Sequence, residues 1–177
     1  GSTLITGPSN VGKTRLTARA LDAWVESNGP EGVVCFEFGP EFEHDGRILG
    51  RHLDRFTSLS DDSWQGVLDA RAPRAEGSTT NETVRLAADN AERAAALIAA
   101  APDAPVAVFV NDATIPFQHE SGSPSELLAY CNRAEVAVLN AFESDELGTS
   151  DPVSRQEQAA VETMRRRCTR SIRLDRP

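Results

Sequence analysis

The chain has 177 residues, of which 40% are hydrophobic and 25% are charged, a composition typical of one globular domain with a real core. Its formal charge of −9 argues against binding to nucleic acid, because an acidic surface repels phosphates. The longest apolar run, residues 94–101, is far too short to cross a membrane. Cys35, Cys131 and Cys168 lack metal-site spacing and indicate reduced, packed thiols. We therefore expect a single cytoplasmic domain over residues 1–177.

An apolar stretch over residues 3–6 runs into a glycine-containing loop and then into a helical pattern. Residues 7–14 read Gly-Pro-Ser-Asn-Val-Gly-Lys-Thr, two glycines separated by four residues and followed by Lys and Thr. This is the Walker A pattern of a phosphate-binding loop. The glycines allow a tight turn and a close backbone approach to a phosphate, and the N-terminus of the following helix favours an anion. Residues 28–30, Asn-Gly-Pro, end that helix.

The loop predicts a site for a nucleoside triphosphate, ATP or GTP, with Mg²⁺. Lys13 is the only lysine in the chain, beside seventeen arginines. Its compact charge would reach the β- and γ-phosphates, and the Thr14 hydroxyl would hold Mg²⁺. The residues expected to contact the nucleotide are Gly7, Pro8, Ser9, Asn10, Val11, Gly12, Lys13, Thr14 and Arg15.

In the middle of the chain, one clear strand is followed by segments whose hydrophobic patterns are less regular. Residues 32–38 form a continuous β-type run, which indicates a strand buried on both faces, as in a parallel sheet. Residues 41–55 predict an irregular helix and residues 56–59 a short strand. Residues 60–80 are polar and predict a mobile loop, with one helical turn near Trp64.

The second half continues the alternation. Thr79 and Glu82 have capping-box spacing, and they open a helix that runs to about residue 101. Its predicted buried stripe is Val84, Ala88, Ala91, Ala95 and Ile98. The further elements expected are strands at 106–110, 136–140 and 171–174, helices at 125–131 and 152–168, and a loop at 113–124. We predict an α/β fold, a three-layer doubly wound and mainly parallel sheet with the phosphate-binding loop after the first strand.

Two carboxylates, one near the end of a predicted strand and one just after another, are the candidate catalytic groups beside Lys13. Asp112 ends the strand at 106–110 and is expected to hold Mg²⁺, because the carboxyl ends of parallel strands meet at one edge. A turn or helix-capping role is the alternative for it. Glu37 would orient or deprotonate a water, with Glu41 and Glu43 as alternatives.

Other polar residues carry weaker signals. Asn140 closes the strand at 136–140 and is predicted to contact the base, in a degenerate match to a guanine-reading motif. His44, His52 and His119 show no metal-ligand spacing, and surface or capping roles are favoured for them. The arginines at 165–176 indicate a solvated face paired with acidic groups. The alternatives are a docking patch, or an arginine that reaches a phosphate in a neighbouring subunit.

With these residues in place, the chain resembles the P-loop NTPases. It is most similar to the RecA-like ATPases, on Lys13 and Thr14, Glu37 near the end of the second strand, and Asp112. It resembles more weakly the adenosylcobinamide kinase/guanylyltransferase family, in size and in residues 47–52. Gly50 stands where that family has its nucleophilic histidine, so the resemblance does not extend to guanylyl transfer.

This resemblance implies nucleoside triphosphate hydrolysis coupled to a conformational change or a protein partner. The alternatives are a small-molecule kinase, with the 60–80 and 113–124 loops as lid and acceptor site, and a nucleotide-binding switch with negligible turnover.

Overall fold

The computed structural model describes the backbone of residues 1–177 and all side chains except those of Phe42, His44, Arg47 and Leu49. The strands are β1 (Ser2–Gly7), β2 (Val33–Glu37), β3 (Phe42–His44), β4 (Arg47–Leu49), β5 (Trp64–Val67), β6 (Ala107–Asn111), β7 (Val136–Phe142) and β8 (Arg170–Arg173). The helices are α1 (Lys13–Asn28), α2 (Pro73–Glu76), α3 (Thr80–Ala100), α4 (Pro124–Cys131) and α5 (Pro152–Arg167). Short 3₁₀ turns lie at Leu53–Arg55 and Ile115–Phe117.

Six strands form one parallel sheet in the order β5-β2-β6-β7-β1-β8. Successive side chains of a strand point to opposite faces. Val33 and Cys35 of β2 therefore belong to the cluster that Leu21 of α1 completes. Val34 and Phe36 belong to the larger cluster, to which α3, α4 and α5 contribute. Helices thus cover both faces of the sheet, and the predicted α/β fold with a parallel sheet is confirmed.

The connections position the candidate site. The chain moves from β1 through α1 toward β2 on one side of the sheet, whereas α3, α4 and α5 lead successively to β6, β7 and β8 in the opposite direction. The carboxyl ends of β6, β7 and β1 consequently lie side by side. In open α/β sheets, ligands bind where the connections diverge in this way.

The helix predicted over residues 41–55 is wrong. Strands β3 and β4 pair there as an antiparallel hairpin, followed by the 3₁₀ turn at Leu53–Arg55. The two residues between these strands, Asp45 and Gly46, have φ of 50° and 73°. A two-residue turn with positive φ at both residues matches the right-handed twist of the strands that it joins. Asp-Gly is a favoured pair in such a turn. That pair was the signal in the sequence for a hairpin.

The strand predicted at 56–59 is also wrong, because the strand in this region is β5, where a helical turn was expected. β5 pairs with β2 at the edge of the sheet. Its Gly66 is buried and its Val67 is exposed, so its burial is that of an edge strand and not of a continuous apolar run. The segment 60–80 also contains α2, and is therefore not one loop.

One of the two hydrogen bonds of the predicted capping box of α3 is present, because Thr79 Oγ1 accepts the Glu82 N–H at 3.1 Å. The predicted stripe shares only Ala91 with the buried residues of α3, which are Leu86, Ala87, Asn90, Ala91 and Ala94. Asn90 explains the error, because its side chain is inside and bonds the backbone of Arg71. Because Asn90 is polar, the hydrophobic pattern of the sequence did not identify the buried face of α3.

The cysteines Cys35, Cys131 and Cys168 are free and buried. Burial raises the pKa of the Cys35 and Cys131 thiols to about 12, which makes both poor nucleophiles. Among the residues described, no helix has the length and apolar character needed to cross a bilayer.

Candidate functional site

Residues 8–12 connect β1 to α1 in a loop that requires glycine at its ends. Gly7 has φ 153° and Gly12 has φ 98°, which few other residues adopt. A Cβ atom on Gly7 would lie 2.3 Å from the carbonyl oxygen of Leu174. A side chain there would push the segment after β8 away from the loop. The strand–loop–helix order predicted for residues 3–28 is thus present.

The N-terminus of α1 has no side-chain cap. Its N-cap, Gly12, has no side chain to bond the first N–H groups, and the first turn holds no acidic residue. In contrast, Thr79 and Asp151 cap α3 and α5 with their side chains. The first N–H groups of α1 and the positive end of its dipole therefore remain available to an anion.

Lys13 lies at the start of α1 and is only 8% exposed. Its ammonium group donates a hydrogen bond to the carbonyl oxygen of Pro8, inside the loop. Burial lowers the pKa of Lys13, and the nearby carboxylates of Asp112 and Glu146 oppose this effect. The loop thus holds a partly desolvated cation at the start of α1.

Thr14 contacts the neighbouring strand through its hydroxyl. Thr14 Oγ1 donates to Asn111 Oδ1 at 3.0 Å. Since the proton of the hydroxyl is used in this bond, the oxygen keeps its lone pairs for another partner. A threonine held in this way can offer an oxygen ligand to a cation.

Asp112 follows β6 and lines the same cavity as the loop. Its φ of 54° turns the chain out of the strand. Among the side chains described, none donates a hydrogen bond to its carboxylate. Burial raises the pKa of Asp112 to about 6, against the opposing effect of Lys13. A Cβ atom on Gly39 would lie 2.0 Å from Asp112 Oδ2, so only glycine at position 39 leaves room for this carboxylate.

Asn111, which sequence reasoning did not assign, is the centre of a buried polar network. Its Oδ1 accepts from Thr14 and from Asn140 Nδ2 (2.9 Å), and its Nδ2 donates to Glu37 Oε1 (2.7 Å) and to the carbonyl of Arg51 (3.0 Å). The signal for it was present, because it ends the strand from which Asp112 was selected.

Asn140 belongs to this network and not to the cavity. It is fully buried. Its Nδ2 also donates to Thr17 Oγ1 (2.8 Å), and its Oδ1 accepts the N–H of Asp112 (2.9 Å). The burial and the hydrogen bonds of Asn140 argue against the predicted contact with a base. Its side chain instead holds the backbone of Asp112 in position.

The geometry also argues against the prediction that Glu37 orients or deprotonates a water molecule. Glu37 is only 7% exposed, and both of its carboxylate oxygens accept hydrogen bonds from protein groups. Burial, followed by the charge of Asp112, raises the pKa of Glu37 to about 7. Glu37 does not line the cavity that contains Lys13.

The alternatives to Glu37 do not replace it. Glu41 pairs with Arg55, and Glu43 is exposed. The His52 ring bonds Gly39 O at 2.7 Å, and the His119 ring bonds Ser121. The side chain of His44 lies outside the described residues.

The cavity at this edge has a volume of about 600 Å³, within the range of small-molecule sites. Its lining combines the loop, the start of α1 and three other segments: Ser9, Asn10, Val11, Gly12, Lys13, Thr14, Arg15, Gly50, Arg51, Phe56, Asp112 and Phe142. The Arg15 guanidinium lies 5.3 Å from the centre of the Phe56 ring. The sequence had indicated the loop and Asp112, but not Gly50, Arg51, Phe56 or Phe142.

An acidic side chain already bonds the loop. Glu146 Oε1 accepts the Ser9 N–H at 2.7 Å, and Arg176 bridges Glu146 Oε2 (2.8 Å) and the Ser9 carbonyl (3.1 Å). Arg165 and Arg173 both pair with Glu143. These contacts agree with the expectation that the C-terminal arginines pair with acidic groups of the same chain.

A second cavity of about 260 Å³ shares Phe142 with the first. The Arg74 guanidinium lies 5.5 Å from the centre of the Phe142 ring and pairs with Glu157 at 2.7 Å. Glu157 is 3% exposed and accepts further bonds from Thr114 and Gln118 at 2.9 Å each. The buried charge is therefore well compensated.

No protein-family model matches the chain, and a search of curated proteins gives no match either. Among the described side chains, no group of three or more His, Cys, Asp or Glu could hold a metal ion.

Proposed function

We propose that this chain binds a nucleoside triphosphate together with Mg²⁺, ATP being favoured over GTP, and hydrolyses it in connection with a conformational change or a protein partner. One observation carries the proposal. The only lysine of the chain, the uncapped N-terminus of α1, the Thr14 hydroxyl and the Asp112 carboxylate meet in a single cavity of about 600 Å³. This combination supports the resemblance to P-loop NTPases.

The residues fit a hydrated Mg²⁺ ion. Mg²⁺ is usually held by one or two protein oxygens, several waters and the phosphates of the substrate, so a cage of several carboxylates is not required. Thr14 Oγ1 and the Asp112 carboxylate would hold it. When bound, the ion would neutralise charge on the phosphates. Lys13 would bind the phosphates, and the N–H groups of α1 would orient them.

The cavity favours slow intrinsic turnover. Among its described lining residues, Asp112 is the only carboxylate and no histidine is present. With Glu37 bonded on both oxygens, no second group is available as a base for water. We therefore expect measurable binding with weak hydrolysis, which is also the behaviour of a switch module.

A small-molecule kinase is the second candidate. It is favoured by the second cavity, which shares Phe142 with the first and offers about 260 Å³ for an acceptor. The partly buried Arg74 and the buried Glu157 provide polar contacts in that space. A kinase would consume ATP only when an acceptor is present.

Calorimetric titration tests the proposal. Mg·ATP and Mg·GTP should bind with one-to-one stoichiometry, and AMP, which lacks the β- and γ-phosphates, should bind much more weakly. Phosphate release without an acceptor would separate hydrolysis from kinase activity. If neither triphosphate binds or raises the melting temperature, the proposal is wrong.

Glu146→Ala should strengthen triphosphate binding. The variant frees the Ser9 N–H and removes a negative charge beside the loop. We expect the Kd of Mg·ATP to fall about 3- to 10-fold at low salt, and less at high salt. Asp145→Ala is the matched control, because Asp145 is exposed and carries the same charge. Weaker binding in Glu146→Ala would mean that Glu146 supports the loop and does not compete with a ligand.

A further inference from the structure

One wall of the cavity comes from a segment that leaves the sheet. After β2, residues 38–56 run through the β3–β4 hairpin and the 3₁₀ turn at Leu53–Arg55. This segment brings Gly50, Arg51 and Phe56 to the cavity that the loop and Asp112 also line. Outside its hairpin, the segment belongs to no sheet, so other contacts must hold it against the site.

A single buried carboxylate bonds both ends of this segment. Glu37 Oε1 accepts the N–H of Gly39 at 3.3 Å, and Glu37 Oε2 accepts the N–H of Leu53 at 2.8 Å. The first contact lies at the start of the segment and the second lies beyond the hairpin. Because Glu37 is only 7% exposed, water cannot easily replace either bond.

The same carboxylate is connected to the metal-binding side of the cavity. Asn111 Nδ2 donates to Glu37 Oε1 at 2.7 Å and to the carbonyl of Arg51 at 3.0 Å, while Asn111 Oδ1 accepts from Thr14. Asn111 therefore bonds the segment, Glu37 and the start of α1 at once. Its four hydrogen-bonding positions are all used, so it has no freedom to rotate without breaking them.

We infer that Glu37 is a positioning residue, which fastens the 38–56 segment to Asn111 and so fixes the cavity wall formed by Gly50, Arg51 and Phe56. Two other side-chain contacts join described residues of this segment, and both are more exposed than Glu37. The His52 ring, which is partly buried, bonds Gly39 O at 2.7 Å. Glu41 bonds Arg55 and the N–H of His52, but both charged partners are partly exposed, with side-chain exposures of 24% and 42%. The hydrogen bonds of the buried Glu37 carboxylate are therefore the contacts on which the position of the wall depends.

Hydrogen exchange of the ligand-free protein tests this inference directly. Glu37→Gln keeps the shape but replaces one acceptor by a donor, which would face the N–H of Leu53, the N–H of Gly39 or the amide of Asn111. We expect amide exchange in residues 38–56 to become about tenfold faster, with β1 and β6 unchanged. Glu31→Gln is the matched control, because Glu31 is an exposed glutamate just before β2.

A second variant approaches the same contact from the other side. Asn111→Asp keeps an acceptor for Thr14 but loses the donor to Glu37 and to Arg51 O. We expect faster exchange in the same segment. Unchanged exchange in both variants, a uniform increase in every strand, or loss of the fold would each overturn the inference.

A binding measurement separates positioning from catalysis, and this part rests on the proposed function. With a displaced wall, Glu37→Gln should raise the Kd of Mg·ATP about tenfold while the turnover of the saturated protein changes less than about threefold. A general base would give the opposite pattern, an unchanged Kd and a rate about 10²- to 10⁴-fold lower. If the wild-type chain binds no nucleotide, the proposed function fails, but the exchange result still decides the role of Glu37.

Discussion

Lys13→Ala should weaken the binding of Mg·ATP by about 100-fold or more, corresponding to about 2.7 kcal/mol. The ammonium group is the only lysine charge in the chain and faces the cavity from the first turn of α1. Two or more charge-assisted contacts to the phosphates would be lost together. Calorimetric titration at fixed salt measures the change.

The fold should survive this substitution. Among the described residues, the Lys13 ammonium bonds only Pro8 O. Burial lowers the pKa of Lys13, which means that the charge itself is costly in the folded state. The melting temperature of the variant should therefore equal or exceed that of the wild type. Arg19→Ala, which removes an exposed positive charge from the same helix, serves as the control. Equal affinities for Lys13→Ala and the wild type would remove the loop from the proposed site.

Asp112→Asn should reduce Mg²⁺-dependent turnover about 100-fold and leave the affinity for ATP without metal unchanged or improved. The expectation follows from the carboxylate of Asp112, which lies near Lys13 in the cavity and accepts no hydrogen bond from the side chains that are described. Titrations with Mg²⁺ and with EDTA separate the two effects, and Asp103→Asn provides an exposed control. A parallel loss with and without metal would make Asp112 a structural residue.

The same variant should change how stability depends on pH. The pKa of Asp112 is raised from 3.8 to about 6, so the folded state holds this proton more tightly than the unfolded chain. Its contribution to stability is present below about pH 4 and is lost as the pH rises through about 6. Asp112→Asn, which cannot ionise, should then be more stable than the wild type above pH 6, and the difference should vanish near pH 4. Urea unfolding across this range would show it, and parallel curves would contradict it.

The loop and Asp112 could be predicted because their signals are local. Residues 7–14 specify their own turn through Gly7 and Gly12, and Asp112 follows directly from an apolar run. The role of Glu37 could not be predicted in the same way. Glu37 and Asn111 are partners across the β2–β6 ladder, and that pairing depends on strand order, which no short stretch of sequence encodes.

The cavity wall was missed for a related reason. Arg51 and Phe56 reach the site because the Asp45-Gly46 turn folds the chain back as a hairpin, whereas an irregular helix had been predicted over the same residues. A correct interpretation of that turn would have given the hairpin. It would not have given the wall, because the bonds of Glu37 and Asn111 to Leu53 and Arg51 join residues 16 and 60 positions apart.

The position of β1 in the sheet determines when, during synthesis, the loop becomes able to bind a nucleotide. β1 is synthesised before the other strands of the sheet, yet its two neighbours in the sheet are β7 and β8. The Leu174 N–H also bonds Thr6 O just before the loop. On the ribosome, the start of the loop therefore has no fixed strand beside it until residues 136–174 have emerged from the exit tunnel. A nascent chain halted before β7 should not be retained on an immobilised nucleotide, and binding should begin only with chains that have released β8.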